Sequence, residues 1–196
     1  MNEKRSNARD ELTLLARKDT TTGLDLPSTM ELRFPVEMKK TSSLPHTFVT
    51  LQIRGLYIYK KFYGKEKLVL LLKEVGIYLR TWSASLLLSS HYLYESRFYF
   101  LYTLNTRDTE EKMKQLDNFL KEHYPDIDLQ CRYGIAGIND PAVFAEVKDR
   151  TEEAAESSSL SERNPFSICS MAIHPEEERE KEILADFPAA LEDGSF

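Results

Sequence analysis

Apolar and polar residues alternate in different ways along the chain, and the differences predict a mixture of strands and helices. Residues 86–104 contain two apolar runs, rich in leucine and aromatic residues, on either side of a polar middle. Short apolar runs separated by a polar turn are typical of a hairpin of two buried strands. Further strands are predicted over residues 48–53, 129–138 and 166–173. The predicted hairpin tip, at a sheet edge, carries Tyr94, Glu95, Ser96 and Arg97.

Apolar residues at helical spacing predict the elements between these strands. Over residues 64–80 they recur at i, i+3, i+4 and i+7, which places them on one helix face. A second helix is predicted to begin at a capping box of Asp108 and Glu111. Asn-Asp-Pro at residues 139–141 predicts the start of a third. Residues 29–38 favour a helix only as far as Pro35.

The predicted order is β-α-β-β-α-β-α-β, which favours an α+β fold with helices packed on one sheet. Residues 1–18 place three leucines among charged residues and predict a short lead-in helix. Residues 174–196 are strongly charged and predict an amphipathic linker helix. The predicted domain therefore spans residues 19–173. The apolar residues of the linker are Ile183, Leu184, Phe187 and Leu191.

Composition narrows the class of protein. The chain has 196 residues, 41% of them hydrophobic and 30% charged, which suits one domain with a substantial core. Its net charge of −6 argues against a general nucleic-acid binder. No apolar run approaches the ~20 residues of a membrane-spanning helix, and the N-terminus lacks a signal-peptide core. We therefore expect a cytoplasmic protein without direct membrane insertion.

The residue types that hold metals or act as nucleophiles form no suggestive pattern. Cys131 and Cys169 are too few for a disulfide framework, and their apolar alternating surroundings predict buried thiols. The four histidines are scattered, and none pairs with a cysteine or a carboxylate at metal-ligand spacing. The sequence therefore predicts no metal centre.

Residues 57–63 interleave lysines with aromatic residues. Aromatic rings can stack on a nucleotide base while lysines neutralise its phosphates. The alternative, which we favour, is that the aromatic side chains pack in the core while Lys60 and Lys61 lie at the surface. The hairpin tyrosines, Tyr92, Tyr94, Tyr99 and Tyr102, are likewise expected to be packing residues.

Several stretches together resemble GGDEF domains, which make cyclic di-GMP from two GTP molecules. Residues 94–98 occupy the place of the Gly-Gly-Asp/Glu-Glu-Phe motif, although only Phe98 agrees with it. Residues 19–24 resemble the Asp-x-Leu-Thr-Gly-Leu that opens such domains. By themselves, these residues also suit an ordinary capped turn. The agreeing residues there are Asp19, Thr22, Gly23 and Leu24.

Three further stretches carry the resemblance. Residues 63–64 match the Tyr-Gly that begins the long helix of the family, and residues 133–135 resemble its Ser-Ile-Gly strand with an offset. Residues 187–196 resemble the lead-in to an EAL phosphodiesterase domain. The resemblance implies a nucleotidyl cyclase-like fold with a central, mostly antiparallel sheet of about five strands and helices packed on its faces. It also implies the N-terminal part of a bacterial GGDEF–EAL protein.

The departures from the family pattern bear on catalysis. The resemblance places Gln52 and Arg54 where cyclases carry metal-binding aspartates, and Ser96 and Arg97 at the acidic pair of the signature. An amide and cations are poor ligands for Mg²⁺, which prefers anionic oxygens. Glu95 replaces a glycine, so its side chain would occupy space that a phosphate needs.

The guanine-reading Asn and Asp of the family correspond to Lys60 and Val69. A valine accepts no hydrogen bond, and a lysine cannot make the paired contacts of an amide. The family's product-inhibition motif, Arg-x-x-Asp, would fall at Ser85 and Leu88 and is missing. The resemblance therefore implies a degenerate GGDEF domain with no catalytic residue, no metal and no firmly assigned cofactor site.

These observations favour a catalytically inactive regulatory domain that modulates an adjoining EAL-type domain. The EAL-type domain would make the full-length protein a cyclic di-GMP phosphodiesterase. GTP binding and homodimer formation remain open, and Arg54 with Arg97 could hold a phosphate or pair with Glu95. The alternatives are a divergent diguanylate cyclase and an α+β interaction module without a ligand.

Overall fold

A computed structural model describes residues 18–82, 85–92, 97–126, 128–138, 144–158 and 165–169. Within this part of the chain, five strands form one sheet. The strands are β1 (His46–Arg54), β2 (Leu86–Tyr92), β3 (Arg97–Tyr102), β4 (Gln130–Ile138) and β5 (Phe166–Cys169). The helices are α1 (Pro27–Lys40), α2 (Leu56–Trp82), α3 (Thr106–His123) and α4 (Phe144–Ser158).

The sheet is mixed and has the strand order β2-β3-β1-β4-β5. The central strand β1 pairs antiparallel with both β3 and β4, and β2 pairs antiparallel with β3. Only the pairing of β4 with β5 is parallel among the described strands. The predicted fold, a mostly antiparallel sheet of about five strands with helices packed on it, is confirmed.

Alternate residues of β1 point to opposite faces of the sheet, and each face carries its own core. Val49, Leu51 and Ile53 pack with the buried residues of α2 and α3. Phe48 packs on the other face with the buried residues of α1 and α4. Helices therefore cover both faces, which is why the strand residues between Thr47 and Leu51 are all buried.

Glycines allow two elements to pack unusually closely. A Cβ on Gly134 of β4 would lie 1.8 Å from the carbonyl oxygen of Thr151 in α4, a separation that no real side chain shows. The Thr50 and Thr151 hydroxyls hydrogen-bond across 2.7 Å at the same contact. A Cβ on Gly76 of α2 would similarly lie 2.3 Å from the carbonyl oxygen of Thr22. Helix α4 and the N-terminal turn therefore depend on these glycines for their positions.

Three predicted helix boundaries are wrong. Helix α1 continues through Pro35 to Lys40, because Phe34 and Met38 on either side of the proline are buried in one core. Helix α2 begins at Leu56, eight residues before the predicted start, and the non-helical Gly64 (φ 85°) divides it. The prediction found only the part after this break.

The third wrong boundary concerns helix α3. Its N-cap is Asn105, whose side chain accepts a hydrogen bond from the backbone N–H of Asp108. The predicted capping box began at Asp108, three residues too late. Residues 1–17 of the predicted lead-in helix, residues 94–96 of the hairpin tip, the start of the third helix and the linker helix lie outside the described residues.

Candidate functional site

Gln52 and Arg97 lie directly opposite each other in the antiparallel pair of β1 and β3. Arg132 of β4 lies opposite Gln52 on the other side of β1. Residues opposite each other in a sheet share a face, so these three side chains start from one row of the sheet. This row is on the α1 and α4 face, because Tyr99, two residues beyond Arg97 on the same strand, belongs to the core on that face. The metal-site equivalents Gln52 and Arg97, which lie opposite each other on this face, are therefore an amide and a guanidinium.

The guanidinium of Arg97 is bound by carboxylates of α4. Its Nη1 lies 2.7 Å from Oε2 of Glu152, and its Nη2 lies 2.6 Å from Oε1 of Glu156. Glu152 also accepts a hydrogen bond of 2.6 Å from the hydroxyl of Tyr99 and is 3.1 Å from Nζ of Lys148. Arg97 and Glu152 are only 13% and 16% exposed. The cluster therefore ties β3 to α4 through partly desolvated charges.

Two polar atoms beside this cluster have no hydrogen-bond partner among the described residues. They are Oε1 of Gln52 and Nε of Arg132, both buried. Arg132 is 8% exposed, and its Nη2 makes a long contact of 3.4 Å with Oε1 of Gln130. Neither side chain offers the hard anionic oxygen that Mg²⁺ requires. Gln52, Arg97 and Arg132 therefore do not fit a magnesium ion, and the Glu152 carboxylate beside them is already paired with Arg97 and Lys148.

The N-terminal turn is built around Asp19. Its Oδ1 accepts hydrogen bonds from the backbone N–H and hydroxyl of Thr22, at 2.6 and 2.8 Å, and from the N–H of Thr21 at 3.1 Å. Gly23 has φ 68° and closes the turn by donating its N–H to the carbonyl of Asp19. The predicted capped turn is confirmed, and Asp19 serves it with its own side chain.

The residue after this turn joins it to the edge of the sheet. Asp25 donates its N–H to the carbonyl of Ser89 in β2 over 3.0 Å. Its carboxylate is buried and lies 2.8 Å from Nη1 of Arg33 in α1. The turn therefore covers the outer edge of the hairpin.

An open cleft of about 500 Å³ lies at the junction between the end of β1 and the start of α2. Arg54, at the end of β1, forms part of its wall, whereas Arg97 is not among its lining residues. Of the two arginines that could share a phosphate, only Arg54 therefore lines this cleft, and Arg97 is bound to α4. The lining residues are Arg54, Gly55, Ile58, Phe62, Tyr63, Asp126, Asp128 and Gln130.

The aromatic segment in the first part of α2 is more exposed than predicted. Tyr59 is buried and stacks on Tyr63, with ring centroids 4.9 Å apart. Tyr57 and Phe62 are 78% and 75% exposed, so the predicted core packing is wrong for them. A helix shows only one face to the core, and Tyr59 occupies it here. The hairpin residues Tyr99 and Tyr102 are buried, as predicted.

The two guanine-reading equivalents are both exposed on α2. Lys60 precedes the break at Gly64, and Val69, 37% exposed, follows it. Neither lines the cleft beside Arg54. Of the five signature-equivalent residues, Arg97 and Phe98 are described. Phe98 is fully buried in the core under α2 and α3, whereas residues 94–96 lie outside the described part of the chain.

The described thiols are not activated. Cys131 is buried, as predicted, and burial raises the pKa of its thiol far above the usual value. Cys169 is only half-buried because it ends the edge strand β5, so the predicted burial is wrong for this thiol, although its partial burial still raises its pKa. No group of three His, Cys, Asp or Glu side chains among the described residues is arranged to hold a metal ion. None of the described helices is long and apolar enough to cross a membrane.

Comparison with solved structures finds GGDEF domains. The chain is similar to the coiled coil and GGDEF domain of DgcB from Caulobacter crescentus, solved in complex with c-di-GMP, with TM-score 0.72 and 11% identity. The match covers 85% of this chain and 93% of that chain. The FimX GGDEF domain from Pseudomonas aeruginosa is also similar, with TM-score 0.63, 16% identity, and coverage of 79% of this chain and 99% of that chain.

A third similar structure carries a further domain. The S helix-GGDEF-EAL part of Vibrio cholerae LapD, bound to c-di-GMP, matches 95% of this chain with TM-score 0.72 and 8% identity. This chain covers 46% of that chain. No family model and no curated protein sequence matches the chain significantly. At these identities the likeness concerns the fold, and the fold is GGDEF-like, as the motif resemblance implied.

The sequence analysis missed the carboxylates that bind Arg97. Along the chain, Glu152 is 53 residues from Tyr99 and 55 from Arg97, and Glu156 is 59 residues from Arg97. No local pattern joins residues that far apart. The available indication was the spacing of the two glutamates at i and i+4, which places both on one helix face. Which strand that face meets depends on the packing of α4 on the sheet.

Proposed function

We propose that this domain is a catalytically inactive GGDEF-like regulatory domain in cyclic di-GMP signalling. We also propose that it modulates an adjoining EAL-type phosphodiesterase domain in the full-length protein. The observation that carries the first part is the Gln52–Arg97 pair, which stands at positions where the resemblance expects metal-binding carboxylates. The similarity to LapD, which joins GGDEF and EAL domains, supports the second part.

Electrostatics support the loss of catalysis. Phosphoryl transfer depends on metal ions and positioned cations that hold the charge of the phosphates. Gln52 brings no charge to this place, and Arg97 is paired with Glu152 and Glu156. The arginine is therefore held by its own domain instead of by a substrate. No residue among the described metal-site equivalents supplies a carboxylate.

A cyclase assay tests the loss of catalysis. The purified chain is incubated with GTP and either Mg²⁺ or Mn²⁺, and cyclic di-GMP is measured by mass spectrometry beside an active diguanylate cyclase. We expect no product above a control without protein. Product formation would instead establish the alternative, a divergent cyclase.

The regulatory part of the proposal includes GTP as a ligand held through Arg54. The Arg54 side chain is exposed at a cleft that Phe62 and Tyr63 also line. The arginine offers a cation to a nucleotide, and the two aromatic residues offer ring faces. Calorimetric titration with GTP, with and without Mg²⁺, tests it. We expect Arg54→Ala to weaken binding, and Lys39→Ala on α1 serves as a matched control because Lys39 is exposed away from the cleft.

Regulation itself is tested in the full-length protein that contains the adjoining domain. We expect hydrolysis of cyclic di-GMP to change when GTP is added and the change to disappear in Arg54→Ala. If GTP neither binds nor alters hydrolysis, the nucleotide part of the proposal is wrong. If deletion of residues 19–169 also leaves hydrolysis unchanged, the regulatory function is wrong, and a ligand-free interaction module becomes the better description.

A further inference from the structure

The first part of α2 exposes large apolar side chains to solvent. Tyr57, Ile58 and Phe62 are 78%, 52% and 75% exposed. Ile58 and Phe62 are four residues apart, which places them side by side on the helix. Ile58 and Phe62 also line the cleft beside Arg54, so the apolar surface continues into a concavity of about 500 Å³. Contiguous exposed apolar surface of this kind usually marks a contact site.

Lysines alternate with these apolar residues and follow them along the chain. Residues 57–67 contain four lysines and one glutamate, although the whole chain has a net charge of −6. All four lysines are exposed, and none forms an ion pair within the described part of the chain. We call the exposed apolar and lysine side chains together the basic ridge. Its residues are Tyr57, Ile58, Lys60, Lys61, Phe62, Lys65 and Lys67.

We propose that residues 176–191 of the same chain dock on the basic ridge. The stretch from 176 to 193 has eight acidic and two basic residues, the opposite charge to the ridge. Ile183, Leu184 and Phe187 follow five glutamates and repeat at helical spacing, so an acidic part and an apolar part stand next to each other. Basic and apolar parts are adjacent in the same way on the ridge.

Charge decides between this segment and two other occupants. Residues 1–17 hold four basic and three acidic residues, so they gain nothing from a basic surface. A second copy of the ridge would bring lysines against lysines, and like charges repel. The acidic segment is therefore the part of the chain whose charge fits the ridge best.

The segment can reach the ridge from the end of the last described strand. Cys169 pairs with Ala136 in β4, and the cleft lies at the other end of β4, beside Gln130. Those six residues of strand span about 20 Å. The 14 residues from Cys169 to Ile183 span up to about 46 Å when extended. The connection is therefore long enough without unfolding β5.

The positive lysines and the negative aspartates around the cleft define how the acidic segment is oriented on the basic ridge. Asp126 and Asp128 line the cleft together with Ile58 and Phe62 of α2. Glutamates of the segment therefore lie along the lysines, while Phe187 enters the cleft between Ile58 and Phe62. An aromatic side chain that fills a pocket of this size is the usual anchor of such a contact.

Hydrogen exchange of the full chain, read by mass spectrometry over residues 183–191, tests the docking. We expect the amides of the wild-type protein to exchange at least about tenfold more slowly than those of Lys60→Glu/Phe62→Ser. Phe187→Ala should accelerate exchange in the same way, and raising the salt to about 1 M should weaken the protection. The matched control is Leu32→Ser/Lys39→Glu on α1, where Leu32 is 73% exposed, and it should leave the protection unchanged.

Four results would overturn the proposal. Fast exchange of residues 183–191 in the wild type would show that the segment does not dock, and an equal loss of protection in the α1 control would show that the ridge is not the site. Protection that depends on protein concentration would indicate docking between copies. Lysine-dependent sedimentation with phosphatidylserine vesicles would indicate a lipid partner. Exchange in β1 verifies that each variant is folded. The docking does not depend on cyclic di-GMP signalling, so its failure leaves the cyclase assay unaffected. Phe187 and GTP would compete for the same cleft, so the GTP titration is repeated with Phe187→Ala to separate the two proposals.

Discussion

Arg97 of β3 donates a hydrogen bond of 2.7 Å to Oε2 of Glu152 in α4, and both side chains are more than four-fifths buried. The strand partner of Arg97 on β1 is Gln52, an uncharged residue. Carboxylates of the helix layer therefore compensate the charge of the guanidinium. This contact is an internal ion pair between a strand and the helix that covers it.

The contact should contribute to stability. Glu152→Gln removes the charge that Arg97, Tyr99 and Lys148 share, and we expect unfolding to become easier by about 1–3 kcal/mol because a partly buried arginine loses the more buried of its two carboxylate partners. Urea unfolding measures the change. Glu156→Gln is the control, since Glu156 is 59% exposed and should contribute under about 1 kcal/mol. Equal effects of the two substitutions would contradict this account.

The contact of α4 with β4 should depend on a glycine. Gly134→Ala places a Cβ against the Thr151 carbonyl, so the helix must move, and we expect a loss of about 3 kcal/mol in unfolding free energy. Gly137→Ala on the same strand is the matched control. Its Cβ would meet only the Thr106 Cγ2 at 3.2 Å, the end of a side chain. A Gly134→Ala protein as stable as the control would show that α4 packs elsewhere.

Stability should fall in alkaline solution. Burial raises the pKa values of Cys131, Tyr102 and Tyr133 in the folded protein. The unfolded chain releases these protons near the usual pKa values, so the folded state binds more protons at high pH. The stabilisation is complete below the pKa values of the unfolded chain and is lost as the pH rises above them. The urea midpoint should therefore decrease between about pH 8 and about pH 10.5.

Tyr102→Phe should reduce this alkaline loss. The Tyr102 hydroxyl is fully buried and has no hydrogen-bond partner among the described residues, so its removal should be neutral or stabilising by up to about 1 kcal/mol at pH 7. The slope of the urea midpoint against pH should become shallower. A destabilised variant with an unchanged slope would mean that the hydroxyl is bound in solution.

The two thiols should react at different rates with a disulfide reagent at pH 8. Cys131 is fully buried with a raised pKa, so we expect it to react only when the protein opens. Cys169 is half-buried and should react first, although its raised pKa slows it. The Cys169→Ser variant, which keeps only Cys131, should show no fast phase in the native protein and one reactive thiol in urea. A fast phase there would contradict the burial of Cys131.

Local patterns predicted the hairpin, the main helices and the GGDEF-like order of elements. Met113, Leu116 and Leu120 lie at helical spacing and are buried together, because apolar periodicity reports directly which face of a helix packs. The boundaries were less well predicted. Helix α1 passes Pro35 because burial of Phe34 and Met38 outweighs one lost backbone hydrogen bond, and sequence alone does not measure that balance.

The sequence by itself determined which chemical groups stand at the candidate site. Gln52, Arg54 and Arg97 are read directly from the chain, and their lack of carboxylates is independent of how the chain folds. Only the tertiary structure decided what these groups do. It separated Arg97 from the cleft of Arg54 by binding it to Glu152, more than 50 residues away, because packing α4 on the sheet brings distant charges together. It also left Tyr57 and Phe62 exposed, since Tyr59 occupies the buried face of that helix.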